Sequence, residues 1–139
     1  MSFSAFGTAG DAGLRAEAGD PGELMAELAL GFAALSSPEK ANPVSRRSIT
    51  LEAGGLPELA VKFLNELVFL ADTAGFLPAQ ARAKLDGAEG AYVLRAELDG
   101  EDDAFSSRPR GLLVKAATYH KLKVERYGGL WRAEVVLDI

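Results

Sequence analysis

Apolar positions recur along this chain in two different periods, and the switch between them marks the elements. Phe3 to Phe6 and Leu14 to Ala18 alternate like short strands, with Arg15 and Glu17 on the wet face of the second. Between them Gly7-Thr8-Ala9-Gly10-Asp11-Ala12-Gly13 reads as a glycine-rich turn. Leu24, Leu28, Phe32 and Leu35 then recur at helical spacing and form one apolar stripe. Asp20 is a good N-cap for that helix, Pro21 suits its first position, and Ser36-Ser37-Pro38 ends it. Arg46 to Ala53 reads as a strand and Gly54-Gly55 breaks it. A second helix follows from about Pro57 to Ala71, with Leu59, Phe63, Leu67 and Leu70 as its stripe and Gly75 as its C-cap glycine.

The rest is β-rich. Residues 79–86 and 91–98 predict a hairpin around Gly87-Ala88-Glu89-Gly90. Gly100 to Arg110 is a polar loop, and Leu112 to Val124 holds two apolar stretches broken at Tyr119-His120. Gly128-Gly129 makes a tight turn before a last strand, Trp131 to Ile139, where Val135 and Leu137 share one face and Val136 and Asp138 the other. The expected architecture is α+β: two helices packed on mixed, largely antiparallel sheet, in a single domain spanning residues 1–139.

Composition narrows the chemistry. The 139 residues include no Cys and one His, which excludes disulfides, thiolate nucleophiles, zinc fingers and multi-His metal sites within one chain. A metal would need oxygen donors, which favours hard cations such as Ca²⁺, Mg²⁺ or Mn²⁺. The formal net charge of −5 argues against general phosphate-neutralising grip on nucleic acid. Residues 1–105 carry net −9, however, and residues 106–139 carry net +4. Arg108, Arg110, Lys115, Lys121, Lys123, Arg126 and Arg132 therefore offer either solvated faces or a patch for RNA or an acidic partner. No apolar run is long enough to span a bilayer. Met1-Ser2-Phe3-Ser4-Ala5-Phe6 lacks the features of a signal peptide, so a cytoplasmic location is expected.

Asp11 in its glycine-rich stretch either hydrogen-bonds its own backbone or serves as a ligand. Asp138 sits among Val135, Val136, Leu137 and Ile139, and a carboxylate embedded in such a run requires a partner. The α-carboxylate of Ile139 lies one residue away, and two adjacent carboxylates repel unless a cation or Arg intervenes. Spacing does not select the third group of an oxygen-rich site. The glycine-rich stretch fits neither the P-loop nor the dinucleotide pattern. His120 lacks the partners of a catalytic triad and reads as a structural hydrogen-bonding residue.

Three stretches together resemble the archease family: Leu64-Asn65-Glu66-Leu67-Val68-Phe69-Leu70-Ala71-Asp72-Thr73, Val114-Lys115-Ala116-Ala117-Thr118-Tyr119-His120-Lys121-Leu122-Lys123-Val124, and Trp131-Arg132-Ala133-Glu134-Val135-Val136-Leu137-Asp138-Ile139. Thr8-Ala9-Gly10-Asp11-Ala12-Gly13 keeps the aspartate and the following glycine of the family's His-Thr-Ala-Asp stretch, without its histidine. The resemblance implies an accessory protein, not an independent enzyme. Such a protein promotes guanylylation and multiple turnover of an RtcB-type RNA ligase in tRNA splicing or RNA repair, and RNA is reached through the ligase. It also implies a divalent cation, Ca²⁺ above Mg²⁺ or Mn²⁺, at Asp11, Asp138 and Ile139. The alternatives from chemistry alone are a stand-alone metal-dependent phosphoesterase and a chaperone-like protein-binding module.

Overall fold

The computed structural model describes residues 1–8 and 11–139. Strands β1 (Ser2–Thr8) and β2 (Asp11–Ala18) lead into helix α1 (Pro21–Ser36), strand β3 (Ser45–Ala53) and helix α2 (Leu56–Ala74). Strands β4 (Leu77–Ala88) and β5 (Ala91–Glu101) follow, then a short 3-10 turn at Ala104–Ser106. Strands β6 (Ala116–Ala117), β7 (Lys123–Tyr127) and β8 (Leu130–Asp138) complete the chain.

The expected sheet is two sheets. One runs β1-β2-β8, with β6 and β7 sharing the far edge of β8, and the other runs β3-β5-β4. Every pairing among the described residues is antiparallel. The helices lie between the sheets. Helix α1 packs on β1 and β2 on one side and on β4 on the other, while α2 packs on β6 and β7 and on β3 and β5. One apolar cluster joins residues of both sheets and both helices. The single stripe expected of α1 therefore understates it: Leu24, Met25, Leu28, Ala29 and Phe32 are buried around the helix, because it has a sheet on either side. Gly22 and Gly31 permit the close approach. A Cβ at Gly22 would press on the carbonyl of Ala83 in β4, and one at Gly31 on the side chain of Leu14 in β2.

The local signals hold. The Asp20 carboxylate accepts the Glu23 N–H at 3.0 Å, and Gly75 closes α2 at φ 64°. The glycine-rich turn does not hold as drawn. Gly7 and Thr8 belong to β1, and Asp11 to Gly13 belong to β2; Ala9 and Gly10 lie outside the described residues. Between residues 111 and 124 only Ala116–Ala117 and the start of β7 are strand. The preceding segment docks on the end of α1, where Gly111 and Leu112 donate their N–H groups to the carbonyls of Ser36 and Leu35, each at 2.8 Å.

Candidate functional site

Alternation along β2 and β8 sorts their residues to two faces. Ala12, Leu14, Ala16 and Ala18 of β2, with Ala133, Val135 and Leu137 of β8, point into the core. Asp11, Gly13, Arg15 and Glu17 share the outer face with Asp138, Val136, Glu134 and Arg132, and the register sets these directly opposite in that order. Residues opposite one another on one face hold their Cβ atoms roughly 4.5–5.5 Å apart. Asp11 and Asp138 are thus neighbours across the ladder. Asp138 is exposed, so the expected burial of this carboxylate among its apolar neighbours is wrong: it is the alternate residue of the strand and faces outward. It does not require a partner for the reason of burial. What asks for a positive group is its like-charged neighbour.

The remainder of the outer ladder is charge-matched. Arg15 meets Glu134 at 3.2 Å and Arg132 meets Glu17 at 3.0 Å. The Glu17 carboxylate, helped by Tyr127, holds the Arg132 guanidinium above its ordinary pKa, and Arg132 stacks 3.8 Å from the Tyr127 ring centre. Among the described residues, neither Asp11 nor Asp138 enters an ion pair. No group of three or more His, Asp or Glu side chains gathers as a metal cage among them either. Two carboxylates that enter no ion pair among the described residues fit a hard cation in donor chemistry, and further oxygens would have to come from the chain terminus or from solvent.

The backbone around Asp138 is fixed from β6. Lys115 N–H donates to the Asp138 carbonyl at 2.8 Å, and Thr118 donates both its N–H (3.0 Å) and its hydroxyl (2.8 Å) to the Val136 carbonyl. Asn65 on α2 clamps β6 in turn. Its Oδ1 accepts the Ala117 N–H at 2.8 Å and its Nδ2 donates to the Ala117 carbonyl at 3.3 Å. Nothing in the spacing of residues singles out Asn65 for this role. An amide beside a wide apolar stripe was the available signal, since a part-buried amide needs partners.

A cavity of about 90 Å³ opens beside Asp11, lined by Phe6, Asp11, Ala12, Gly13, His120, Lys121 and Val136. Phe6 lies across Gly13, where any Cβ would clash with the ring, and Arg15 sits 5.4 Å from that ring's centre. His120 is exposed in the turn between β6 and β7, and no side-chain hydrogen bond from it is found among the described residues, contrary to the structural role expected of it. The basic C-terminal third is partly spent within the fold. Arg108 grips Glu101 with two nitrogens, Arg132 is held by Glu17, and Arg110 stacks 3.9 Å from the Phe105 ring centre. Lys115, Lys121 and Lys123 remain exposed.

These features define a class: a small α+β protein in which two antiparallel sheets enclose a helix pair and one ladder ends in facing aspartates. No helix among the described residues is long and apolar enough to cross a membrane. The family model of the archease proteins matches residues 3–139. The chain is 33% identical over 130 residues to the archease of Methanopyrus kandleri, covering 93% of each chain. It is 30% identical over 131 residues to that of Thermococcus gammatolerans, covering 93% of this chain and 92% of the other. A Methanobacterium thermoautotrophicum protein solved in solution superposes with a TM-score of 0.86 at 25% identity, over 99% of this chain and 98% of the other. An archease from Thermotoga maritima, described as a possible chaperone, shares the fold at a TM-score of 0.61 and 15% identity, over 98% and 96% of the two chains. The chain belongs to the archease family.

Proposed function

We propose that this protein is an accessory factor that activates an RtcB-type RNA ligase, promoting its guanylylation and multiple turnover while RNA is bound by the ligase. The observation that carries the reading is the placement of Asp11 directly across the ladder from Asp138 on an open face. Asp11, Asp138 and the terminal carboxylate of Ile139 would hold a divalent cation, Ca²⁺ or else Mg²⁺ or Mn²⁺. When bound, the cation neutralises the facing carboxylates and presents a Lewis-acidic charge at the surface. The chain's own contribution is positional. Thr118 and Lys115 hold β6 against β8 and Asn65 ties β6 to α2, so that Asp138 is offered on an ordered strand. The exposed Lys115, Lys121 and Lys123 favour approach to a ligase–RNA complex despite the net acidic charge.

The test is a guanylylation assay with a cognate ligase. Asp11→Ala and Asp138→Ala should each lose stimulation by at least tenfold, and so should a peptide tag appended after Ile139, which replaces the carboxylate by an amide. Full stimulation by both aspartate variants would reject the cation's part in the reading. Turnover of phosphate esters by the protein alone would reject the accessory role.

A second reading, capture of other proteins in the manner of a chaperone, is favoured by one feature. An apolar cavity of about 150 Å³ between α1 and the start of β4 is lined by Leu30, Ala33, Ala41, Leu77 and Phe3. It predicts suppression of client aggregation that survives Asp138→Ala.

A further inference from the structure

The facing carboxylates account for a cation, but they leave the other wall of the cavity beside Asp11 unexplained. His120 and Lys121 line that cavity together with Asp11, while Phe6 and Val136 supply its apolar side chains and Ala12 and Gly13 complete the wall. Both residues are exposed, and neither side chain has an ion-pair partner among the described residues. Lys121 stands at φ 52°, in the left-handed region where glycine is the easy choice. The turn therefore carries a strained lysine where an unstrained glycine would make the same reversal.

We propose that the His120–Lys121 turn is a phosphate-binding subsite, in which the Lys121 ammonium and the His120 imidazole N–H donate to the oxygens of a phosphate group while a further oxygen meets the cation held by Asp11 and Asp138. The inference rests on the cation reading and goes beyond it by naming the ligand class that the cation faces. The physical case has three parts. Carboxylate, imidazole and ammonium in one cavity form a mixed-sign set, and such a set suits a cation–anion pair better than either ion alone. The Phe6 and Val136 side chains solvate no charge, so His120, Lys121 and the cation are the charged and polar side-chain partners an anion meets there. The size of the cavity suits a compact tetrahedral oxyanion with the rest of its molecule outside. Two sources share this chemistry: the phosphorylated end of an RNA strand and the phosphates of a nucleotide.

The experiment follows amide and His120 ring resonances of the full chain by NMR, with saturating Ca²⁺ or Mg²⁺ and again in chelator. The titrants are inorganic phosphate, a nucleoside triphosphate and a 5′-phosphorylated oligoribonucleotide beside its unphosphorylated twin. Shifts centred on Gly13, His120 and Lys121 are expected, at least tenfold weaker in Lys121→Gly and in His120→Ala. Lys121→Gly should keep its Mg²⁺ affinity and its Tm, since glycine relieves the backbone. Tighter binding of the triphosphate assigns the nucleotide source, and tighter binding of the phosphorylated strand assigns the RNA end. Equal shifts from the unphosphorylated twin, or phosphate binding unchanged in Lys121→Gly, would overturn the subsite. If wild type binds none of Ca²⁺, Mg²⁺ and Mn²⁺, the cation reading is wrong, and the titration in chelator still decides the subsite: no shift at His120 and Lys121 there rejects it.

Discussion

At one end of the β2–β8 ladder Glu17 faces Arg132 and Arg15 faces Glu134, each within ion-pairing distance. At the other end Asp11 faces Asp138. The strands, the face and the pairing geometry are the same, so the difference lies in charge alone. Opposite charges across a ladder stabilise it by a few tenths of a kcal/mol to about 1 kcal/mol, and like charges directly opposite oppose it by a similar amount. A sequence selected only for stability would continue the Arg–Glu pattern. The Asp–Asp end gives up stability at the place where the fold also leaves a cavity and two basic side chains with no ion-pair partner among the described residues, and such local departures cluster at functional sites.

The position between the two ends offers the largest perturbation. Gly13 exists to receive the Phe6 ring, which walls the cavity on one side and stacks beneath Arg15 on the other. Gly13→Val would expel the ring and disturb both ends together. Overpacking of this kind costs about 1–3 kcal/mol, read as a lower Tm or denaturant midpoint. Calorimetric Mg²⁺ titration should weaken in parallel. A variant with unchanged Tm and unchanged affinity would show that the two ends are independent of this step.

Which parts of this could be read from residues alone follows from the range of each interaction. The Asp20 cap, the Gly75 cap and the β4–β5 hairpin depend on a few adjacent residues, and each is found where it is expected. The split into two sheets depends on which strands meet, and no local period encodes that. Its trace is the broad apolar arc of α1, with Met25, Ala29 and Ala33 buried beyond the expected stripe and Glu23 and Glu27 confined to the remaining edge. Asp11 was assigned to a turn because glycines surround it, yet Gly13 serves ring packing inside a strand. The pairing of Asp11 with Asp138 came from family resemblance and was not available from spacing, because 127 positions of chain separate residues that a register brings together. A lone histidine has no partner in the sequence, so His120 reads as structural there. Its neighbours in the cavity come from β1, β2 and β8.

Converting the unmatched end into a copy of the matched one gives a smaller and opposite effect. Asp11→Arg would extend the Arg–carboxylate pattern by one position, with Asp138 as its partner. In chelator the variant should be more stable than wild type by about 0.5 kcal/mol, from relief of repulsion and gain of a cross-strand pair. Addition of Mg²⁺ should raise the Tm of wild type and leave that of the variant unmoved. A variant less stable than wild type in chelator would mean that the facing aspartates are not repelling one another.

The other sheet holds a carboxylate in the opposite circumstance, and it yields the smallest expected effect. Asp99 on β5 receives Arg46 Nε at 2.9 Å and Arg82 Nη1 at 3.1 Å. The hydrogen bond from Arg46 leads in holding its carboxyl below the ordinary value, burial works against it, and Arg82 adds to the lowering. A depressed folded-state pKa means that the unfolded chain binds the proton more readily. The contribution of Asp99 is thus present in full above the ordinary carboxylate range and disappears as pH falls through the lowered folded value. Asp99→Asn should lower the Tm slightly at neutral pH and flatten its fall below the carboxylate range. Asp138→Asn, which removes a charge with no basic partner among the described residues, should instead leave the Tm in chelator unchanged or raised at neutral pH. Equal loss in the two variants would mean that Asp138 has a stabilising partner, and the contrast between the charge-matched and unmatched carboxylates would fail.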